Sequence, residues 1–95
     1  MWKRVFKKNE SVASRKIAEE MLLVPVRGRL ANMQRIFTLN PVAEYIWGKL
    51  DGERNLGDIR SGVLRVFEVE EEQAGKEISE FIDELLKADL ISKVE

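Results

Sequence analysis

The sequence predicts an α+β domain in which a small antiparallel β-sheet of two or three strands is followed by a three-helix bundle. Short apolar runs rich in branched residues occupy the chain as far as Leu39. From Asn40 onward, apolar residues recur at helical spacing in three segments with short connections. A chain of 95 residues is long enough for one such domain with one modest core. This order of sheet and helices favours a winged-helix-like arrangement.

Three segments in the first half are compatible with strands. Residues 12–18 have a weak strand pattern, and residues 21–26 form a short apolar run that predicts a well-buried strand. Pro25 has no N–H to donate, so that side of the strand is expected at a sheet edge or a bulge. A turn at Gly28 leads to residues 33–39, whose alternating pattern predicts another strand.

The segment before these strands is expected to lie outside the domain. Residues 1–11 are basic and have no clear period, so a partly ordered, flexible tail is the default expectation. The apolar residues Trp2, Val5 and Phe6 can pack on the domain or on a partner. We therefore assign residues 12–95 to the folded domain.

Asn40 and Pro41 predict the start of the first helix, because asparagine is a favoured N-cap and proline suits the first helical position. The end of this helix is expected near Gly52, since glycine readily adopts a left-handed conformation. Tyr45 and Trp47 lie within the helix. Aromatic side chains at helical spacing usually fill a core, so the sequence favours a core role for them over a contact surface.

Two further helices are predicted. The second begins at residues 55–58, and Gly62 within it permits close helix packing at a cost of about 1 kcal/mol relative to alanine. The third covers residues 71–88, with glutamates at its start, where the helix dipole favours anions. Its apolar stripe is broad enough to cover the core and leave a margin for a groove. The stripe consists of Ala74, Ile78, Phe81, Ile82, Leu85 and Leu86. Residues 89–94 are expected to be extended and to pack on the core.

The composition excludes most catalytic machinery. The chain has no cysteine and no histidine, which excludes disulfides, thiolate nucleophiles, Ser-His pairs and the usual zinc sites. Carboxylate pairs such as Glu80 and Glu84 are more often surface charges than an acid–base pair. We therefore expect no catalytic residue, no metal site and no cofactor.

No targeting or membrane segment is evident in the sequence. The basic N-terminus is not followed by an apolar run, and no stretch approaches the ~20 apolar residues of a membrane span. The absence of cysteine fits a reducing compartment. These features predict a cytoplasmic protein with no membrane partner.

The charges are unevenly distributed along the chain. Residues 1–35 carry nine cationic and three anionic side chains, whereas residues 36–95 carry seven and fourteen. Two explanations fit this distribution equally well. One is mutual attraction of the two halves, and the other is a partner that contacts both positive and negative side chains. A winged-helix nucleic-acid-binding protein is disfavoured, because the acidic third helix would repel a duplex.

An extended peptide is the favoured partner. The exposed edge of a small sheet offers N–H and C=O groups to which a peptide can add as a further strand. An apolar helix margin beside that strand would supply pockets for alternate side chains. Arg35 can attract an acidic residue of the peptide, whereas Ile36 and Phe37 either contact the peptide or pack within the sheet.

The most distinctive string lies in residues 36–53, IFTLNPVAEYIWGKLDGE. Its Leu-Asn-x-x-Ala-x-x-Ile-Trp-x-x-Leu-Asp-Gly pattern resembles the PqqD family, which is named for the pyrroloquinoline quinone (PQQ) pathway. The similarity extends from about Val12 to the Asp-Leu-Ile string that starts at Asp89, where the family often has glycine. The resemblance implies a winged-helix-like recognition element of ribosomally synthesised, post-translationally modified peptides (RiPPs). Such a peptide chaperone binds the leader of a precursor peptide and presents it to a modifying enzyme, often a radical S-adenosylmethionine (SAM) enzyme.

In that family the leader lies along the last sheet strand and against the third helix. The resemblance therefore implies contacts from this strand and from an exposed margin of the helix. The implied peptide-binding residues are Met33, Gln34, Arg35, Ile36, Phe37 and Thr38 on the strand, and Ile78, Ile82 and Leu85 on the helix. PQQ biosynthesis is one of many pathways that use such domains. An interaction module of another biosynthetic pathway stays an alternative, and the expected assembly is a monomer or weak homodimer.

Overall fold

A computed structural model describes residues 2–10, 12–25 and 37–94. Within these ranges the chain forms three helices and six strands, which are arranged in two antiparallel three-stranded sheets. The predicted α+β fold with its sheet and three helices is thereby confirmed. In chain order the elements are β1 (Val5–Lys8), β2 (Val12–Ile17), β3 (Glu20–Pro25), β4 (Phe37–Leu39), α1 (Pro41–Gly48), β5 (Asp51–Asn55), α2 (Leu56–Val66), α3 (Glu71–Lys87) and β6 (Ile91–Lys93).

The predicted sheet has the strand order β2-β3-β4. Strand β3 pairs with β2 along its whole length, and its first half pairs with β4, where Leu22 lies opposite Thr38. Leu23 is fully buried at the centre of this sheet, whereas most side chains of β2 are exposed. The strands predicted over residues 12–18 and 21–26 are confirmed within the described part of the chain. The turn at Gly28 and the first half of the strand predicted over residues 33–39 lie outside the described residues.

A second sheet, in the order β5-β1-β6, was not predicted from the sequence. Its central strand is β1, in which Phe6 is only 2% exposed. The segment expected to be a flexible tail therefore contains the middle strand of a sheet. The strand has only four residues, and lysines and arginines surround its one buried side chain, so the apolar pattern is too short to recognise. Its partners are also distant in sequence, near Asn55 and near the C-terminal end.

The N-terminal segment also completes the start of α2. The first N–H groups of a helix have no acceptor within the helix. Here the Arg4 carbonyl accepts from the Leu56 N–H at 3.0 Å, and the Trp2 carbonyl accepts from the Gly57 N–H at 2.8 Å. Asn55 adds a reciprocal capping box, so the predicted start of this helix is confirmed.

Helix α1 begins as predicted, with Pro41 as its first residue. The Asn40 Oδ1 atom accepts from the Ala43 N–H at 2.8 Å. The helix ends at Gly48, earlier than expected, because the chain turns there into a fifth strand. Gly52 does adopt a positive φ of 83°, as expected, but within β5 rather than at a helix end.

The start of β5 is held by the side chain of Asp51. Its carboxylate accepts from the backbone N–H groups of Arg54 at 3.0 Å and Glu53 at 2.9 Å, and it also pairs with the Arg54 guanidinium. The hydrogen bonds from the Arg54 and Glu53 backbone lower the pKa of Asp51 below its usual value. We call residues 36–53 the signature string. Its Asp-Gly pair thus fixes the junction between α1 and β5.

The core lies between α3 and the other elements. The inner face of α3 is buried, as are the apolar faces of α1 and α2, the inward residues of the second sheet and the chain after α3. Trp47 lies in this core with Ile46 and Leu50, which confirms its predicted role, while Tyr45 is partly buried. The buried set in the helices is Ile46, Trp47, Leu56, Ile59, Val63, Ala74, Ile78, Ile82 and Leu85.

Tyr45 packs directly on Gly62 of α2. A methyl group on Gly62 would lie 3.0 Å from Cζ of Tyr45 and still closer to its hydroxyl. The ring cannot move aside freely, because Phe67 packs against it edge-on at 5.8 Å and the Lys49 ammonium lies 5.4 Å from its centroid. The predicted reason for a glycine inside this helix, close helix packing, is confirmed.

We predict that Gly62→Ala destabilises the protein although alanine is the better helix former. The overpacking cost of about 1–3 kcal/mol exceeds the helix-propensity gain of about 1 kcal/mol. Gly48→Ala is the matched control, since beyond the neighbouring residues and the backbone of its own helix no heavy atom lies within 4 Å of the added carbon. This control should be neutral or more stable by up to about 1 kcal/mol. Thermal or urea unfolding of both variants tests this packing, and equal stabilisation by both would contradict it.

Helix α3 ends in a Schellman motif with an unfavourable residue at its left-handed position. The Leu90 N–H donates to the Leu85 carbonyl at 2.9 Å, and the Asp89 N–H donates to the Leu86 carbonyl at 3.1 Å. Asp89 has a φ of 62°, where glycine is preferred. The motif directs the chain into β6 and buries Leu90 and Ile91.

We predict that Asp89→Gly stabilises the fold by up to about 1 kcal/mol, because glycine adopts this conformation without a steric penalty. Asp89→Ala should destabilise the fold, since alanine lacks the local hydrogen bonding that helps aspartate tolerate a positive φ. Urea unfolding of the two variants separates backbone conformation from loss of the carboxylate. An equal effect of both substitutions would contradict the conformational explanation.

Candidate functional site

An open groove of about 260 Å³ lies between β4 and α3, with α1 at its base. We call this the β4–α3 groove. It is lined by Phe37, Thr38, Leu39, Asn40, Val42, Ala43, Ile46, Glu77, Glu80, Phe81 and Glu84. The groove therefore lies between the strand and the helix that the resemblance to the PqqD family implies.

Strand β4 lies at the edge of its sheet among the described strands. It pairs with β3 on one side, and the β4–α3 groove runs along the strand. Phe37 and Leu39 point into the core, with 9% and 4% of their surface exposed, while Thr38 points to solvent. Phe37 thus packs within the sheet as well as lining the groove, which were the two roles left open for it. An edge strand beside an open groove is the geometry that strand addition requires.

The apolar centre of α3 does not face the groove. Ile78, Ile82 and Leu85 are at most 2% exposed, so the expectation that they form an exposed margin is wrong. A helix that packs through one face buries the centre of its apolar stripe and leaves only the flanks accessible. These three residues hold α3 in place, and the flank on the groove side carries Phe81 and Glu77 together with the other groove carboxylates.

The base of the groove is provided by the first turns of α1. The Asn40 cap fixes where this helix begins, and Val42 and Ala43 follow as half-buried groove residues. Glu44, on the same helix, accepts from the Lys16 Nζ atom at 3.0 Å, which ties α1 to the β2 strand. The signature string therefore contributes directly to the groove, through residues of both β4 and α1.

Sequence reasoning missed the helix residues that line the groove. Phe81 was part of the apolar stripe but was not selected, although its place at the edge of the stripe is the signal that could have identified it. Glu80 and Glu84 were weighed as surface charges or an acid–base pair, and no glutamate of α3 was selected as a groove residue. Of the strand residues predicted, Phe37 and Thr38 line the groove, and residues 33–36 lie outside the described part of the chain.

The charged side chains in the described lining of the groove are all of one sign. Its polar lining consists of Thr38, Asn40 and three glutamates, and among the residues described here no lysine or arginine lines it. Glu77 accepts from the Gln73 side-chain amide at 3.1 Å, while Glu80 and Glu84 are exposed to solvent. The groove thus combines an apolar base with an anionic side.

The described residues show no sign of a metal site or a membrane span. In residues 2–10, 12–25 and 37–94, no group of three or more acidic side chains is positioned to hold a metal ion. None of the helices in these ranges is long and apolar enough to cross a membrane. Glu80 and Glu84, the carboxylate pair considered for acid–base chemistry, lie exposed on an open surface, which is unlike the buried pairs that such chemistry uses.

Two solved structures share this fold. The chain superposes on TbiB1 in complex with the TbiA(beta) leader peptide with a TM-score of 0.73, at 20% identity over 90% of this chain and 94% of that one. It superposes on lasso peptide synthetase B1 complexed with the leader peptide with a TM-score of 0.74, at 17% identity over 92% of this chain and 96% of that one. At these identities the likeness is one of fold.

Sequence comparison gives the family. No curated protein matches the chain. The family model described as coenzyme PQQ synthesis protein D (PqqD) matches residues 20–91, from the start of β3 to the start of β6. This match includes the signature string, both described borders of the groove and all of α3. The chain therefore belongs to the PqqD family.

Proposed function

We propose that this protein is a non-catalytic peptide chaperone. It binds the leader of a ribosomally synthesised precursor peptide in the β4–α3 groove and presents the rest of the precursor to a modifying enzyme. The observation that carries this proposal is the edge strand β4, which lies beside an open groove with an apolar base.

An extended peptide meets two needs of this site at once. Its backbone can pair with the edge of β4, so main-chain hydrogen bonds provide affinity without depending on sequence. Every second side chain then points towards α3 and α1, where Phe81, Val42 and Ala43 offer apolar contacts. Backbone pairing and alternate pockets together would let a small domain hold a flexible leader.

The family and the structural neighbours support the proposal. TbiB1 and lasso peptide synthetase B1, which share the fold over nearly the whole chain, each have a leader peptide bound in their structures. We propose that this chain serves the same class of partner. A radical SAM enzyme, or another enzyme that modifies peptides, is the proposed recipient of the bound precursor. The proposed encounter takes place in the cytoplasm, where the precursor is translated.

A nucleic-acid partner finds no support in the geometry. Binding to a duplex needs a helix that carries cations to phosphates. Helix α3 instead carries acidic residues along its exposed surface, from Glu71 to Glu84, and three of its glutamates line the groove. Electrostatic repulsion would keep a phosphate backbone away from this side of the molecule.

We predict that Phe81→Ala weakens leader binding by about three- to tenfold, because the ring is already half-buried and covering its exposed half contributes about half of the ~1.5–3 kcal/mol of full burial. The measurement is calorimetric titration with the precursor peptide encoded near this gene. Amide shifts should concentrate at residues 37–39 and along α3. A spectrum of the free variant confirms that it is folded.

Leu86→Ala is the matched control for this variant. Leu86 is an apolar residue of the same helix, is 39% exposed and lies beside Arg4 and Phe6, outside the groove. Its replacement should change the affinity by less than about twofold, in line with surface substitutions away from a site. Equal losses in both variants, or amide shifts that avoid β4, would contradict binding in the groove.

A further inference from the structure

We infer that the groove selects leaders of a particular charge pattern: an extended segment in which an apolar residue is flanked, two positions away on each side, by lysine or arginine. This inference rests on the proposed function and adds the chemistry of the peptide. It depends on the arrangement of Phe81 and the three groove glutamates on α3.

The negative charge of the groove favours peptides with basic side chains. Glu77, Glu80 and Glu84 lie along one side of the groove, and its described lining contains no cation to offset them. Two lysines on adjoining elements pair outside the groove, Lys16 with Glu44 at 3.0 Å and Lys87 with Asp83 at 2.9 Å. A peptide with acidic side chains towards α3 would be repelled, and one with basic side chains would be attracted.

The spacing of Glu77, Phe81 and Glu84 along α3 is close to that of alternate side chains in an extended peptide. In an extended peptide, side chains that face the same way are about 6.6 Å apart. A helix rises ~1.5 Å per residue. Along the axis of α3, Glu77 therefore lies about 6 Å before Phe81, and Glu84 lies about 4.5 Å after it. An apolar peptide residue over Phe81 therefore places the residues two positions away near these glutamates. Lysine and arginine are long enough to cover the remaining difference.

The carboxylates of the groove are accessible to a bound peptide. Glu80 and Glu84 are exposed, and Glu77 is half-exposed with one oxygen accepting from Gln73. Contact with a peptide would remove solvent from these groups on one side only. Exposed pairs of this kind contribute little individually, and a row of several provides selectivity and faster association rather than most of the affinity.

The proposal is tested by selecting random peptides displayed on messenger RNA against the immobilised protein. We expect enriched sequences to contain the pattern of an apolar residue with lysine or arginine two positions before and after it. Selection against the triple variant E77Q/E80Q/E84Q should retain the apolar residue and lose the enrichment of cations. The control E53Q/E68Q/E72Q has the same change in net charge outside the groove and should retain both.

An enriched peptide then provides a quantitative test. At low salt its affinity should fall by about tenfold in E77Q/E80Q/E84Q and by less than about twofold in E53Q/E68Q/E72Q. The difference between the two variants should shrink as salt is added, because exposed charges are screened. Equal losses in both variants would overturn the inference and leave only a general attraction of basic peptides.

Two outcomes separate this inference from the function on which it rests. If enriched peptides are apolar and lose binding in Phe81→Ala but show no preference for cations, the charge pattern is wrong and the groove still binds peptides. If no peptide is enriched in a manner that depends on Phe81, the proposed function itself fails. The chain's own arginines at positions 27, 29 and 35 are a rival source of positive charge. If the variant R27Q/R29Q/R35Q enriches peptides that contain cations and the unaltered protein does not, these arginines occupy the groove. That result would overturn the inference.

Discussion

The burial of one face of α3 is the constraint on which the rest of the structure depends. Ile78, Ile82 and Leu85 are each removed from solvent almost completely, and each such side chain contributes about 1.5–3 kcal/mol. Because the helix has a period of 3.6 residues, burial of this face also fixes the direction in which every other side chain of α3 points. Phe81 and the groove glutamates are turned towards β4 as a consequence. The same packing that stabilises the core therefore creates the proposed binding surface.

The second sheet supports α3 from the other side. Strand β1 brings Phe6 into the core between β5 and β6, and the carbonyls of Trp2 and Arg4 complete the start of α2. The Schellman turn after α3 leads directly into β6, which pairs with β1. The two ends of the described chain thus close the fold together. This sheet leaves β4 out, so the first sheet retains an edge beside the groove.

Much of the fold follows from local sequence signals. The caps at Asn40 and Asn55, the broad stripe of α3 and the close packing at Gly62 were all predictable, since each depends on residues near one another in sequence. The second sheet was not predictable in this way. The segment that contains β6 was expected to be extended and to pack on the core, but β1 and β5 become recognisable as strands only when they pair, and the partners of β1 lie far along the chain. Long-range pairing of short strands carries almost no local pattern.

The strand and the helix implied by the resemblance, β4 and α3, both border the groove, whereas the three helix residues implied with them are buried and do not line it. The choice of Ile78, Ile82 and Leu85 on α3 failed because apolar character was taken to mark contact with a peptide, whereas it marks the buried centre of the helix. The accessible flanks of an amphipathic helix combine apolar and charged residues. Phe81 between Glu77 and Glu84 is the arrangement that results.

The central claim is that a leader peptide adds to β4 as a further strand. Isotope-edited nuclear Overhauser spectroscopy of the labelled protein with a bound, unlabelled leader tests it most directly. Strand addition predicts backbone-to-backbone contacts between the peptide and residues 37–39, together with contacts from alternate peptide side chains to the Phe81 ring. A peptide whose contacts lie at Leu86 or Val66 instead, with no backbone contact to β4, would contradict the claim.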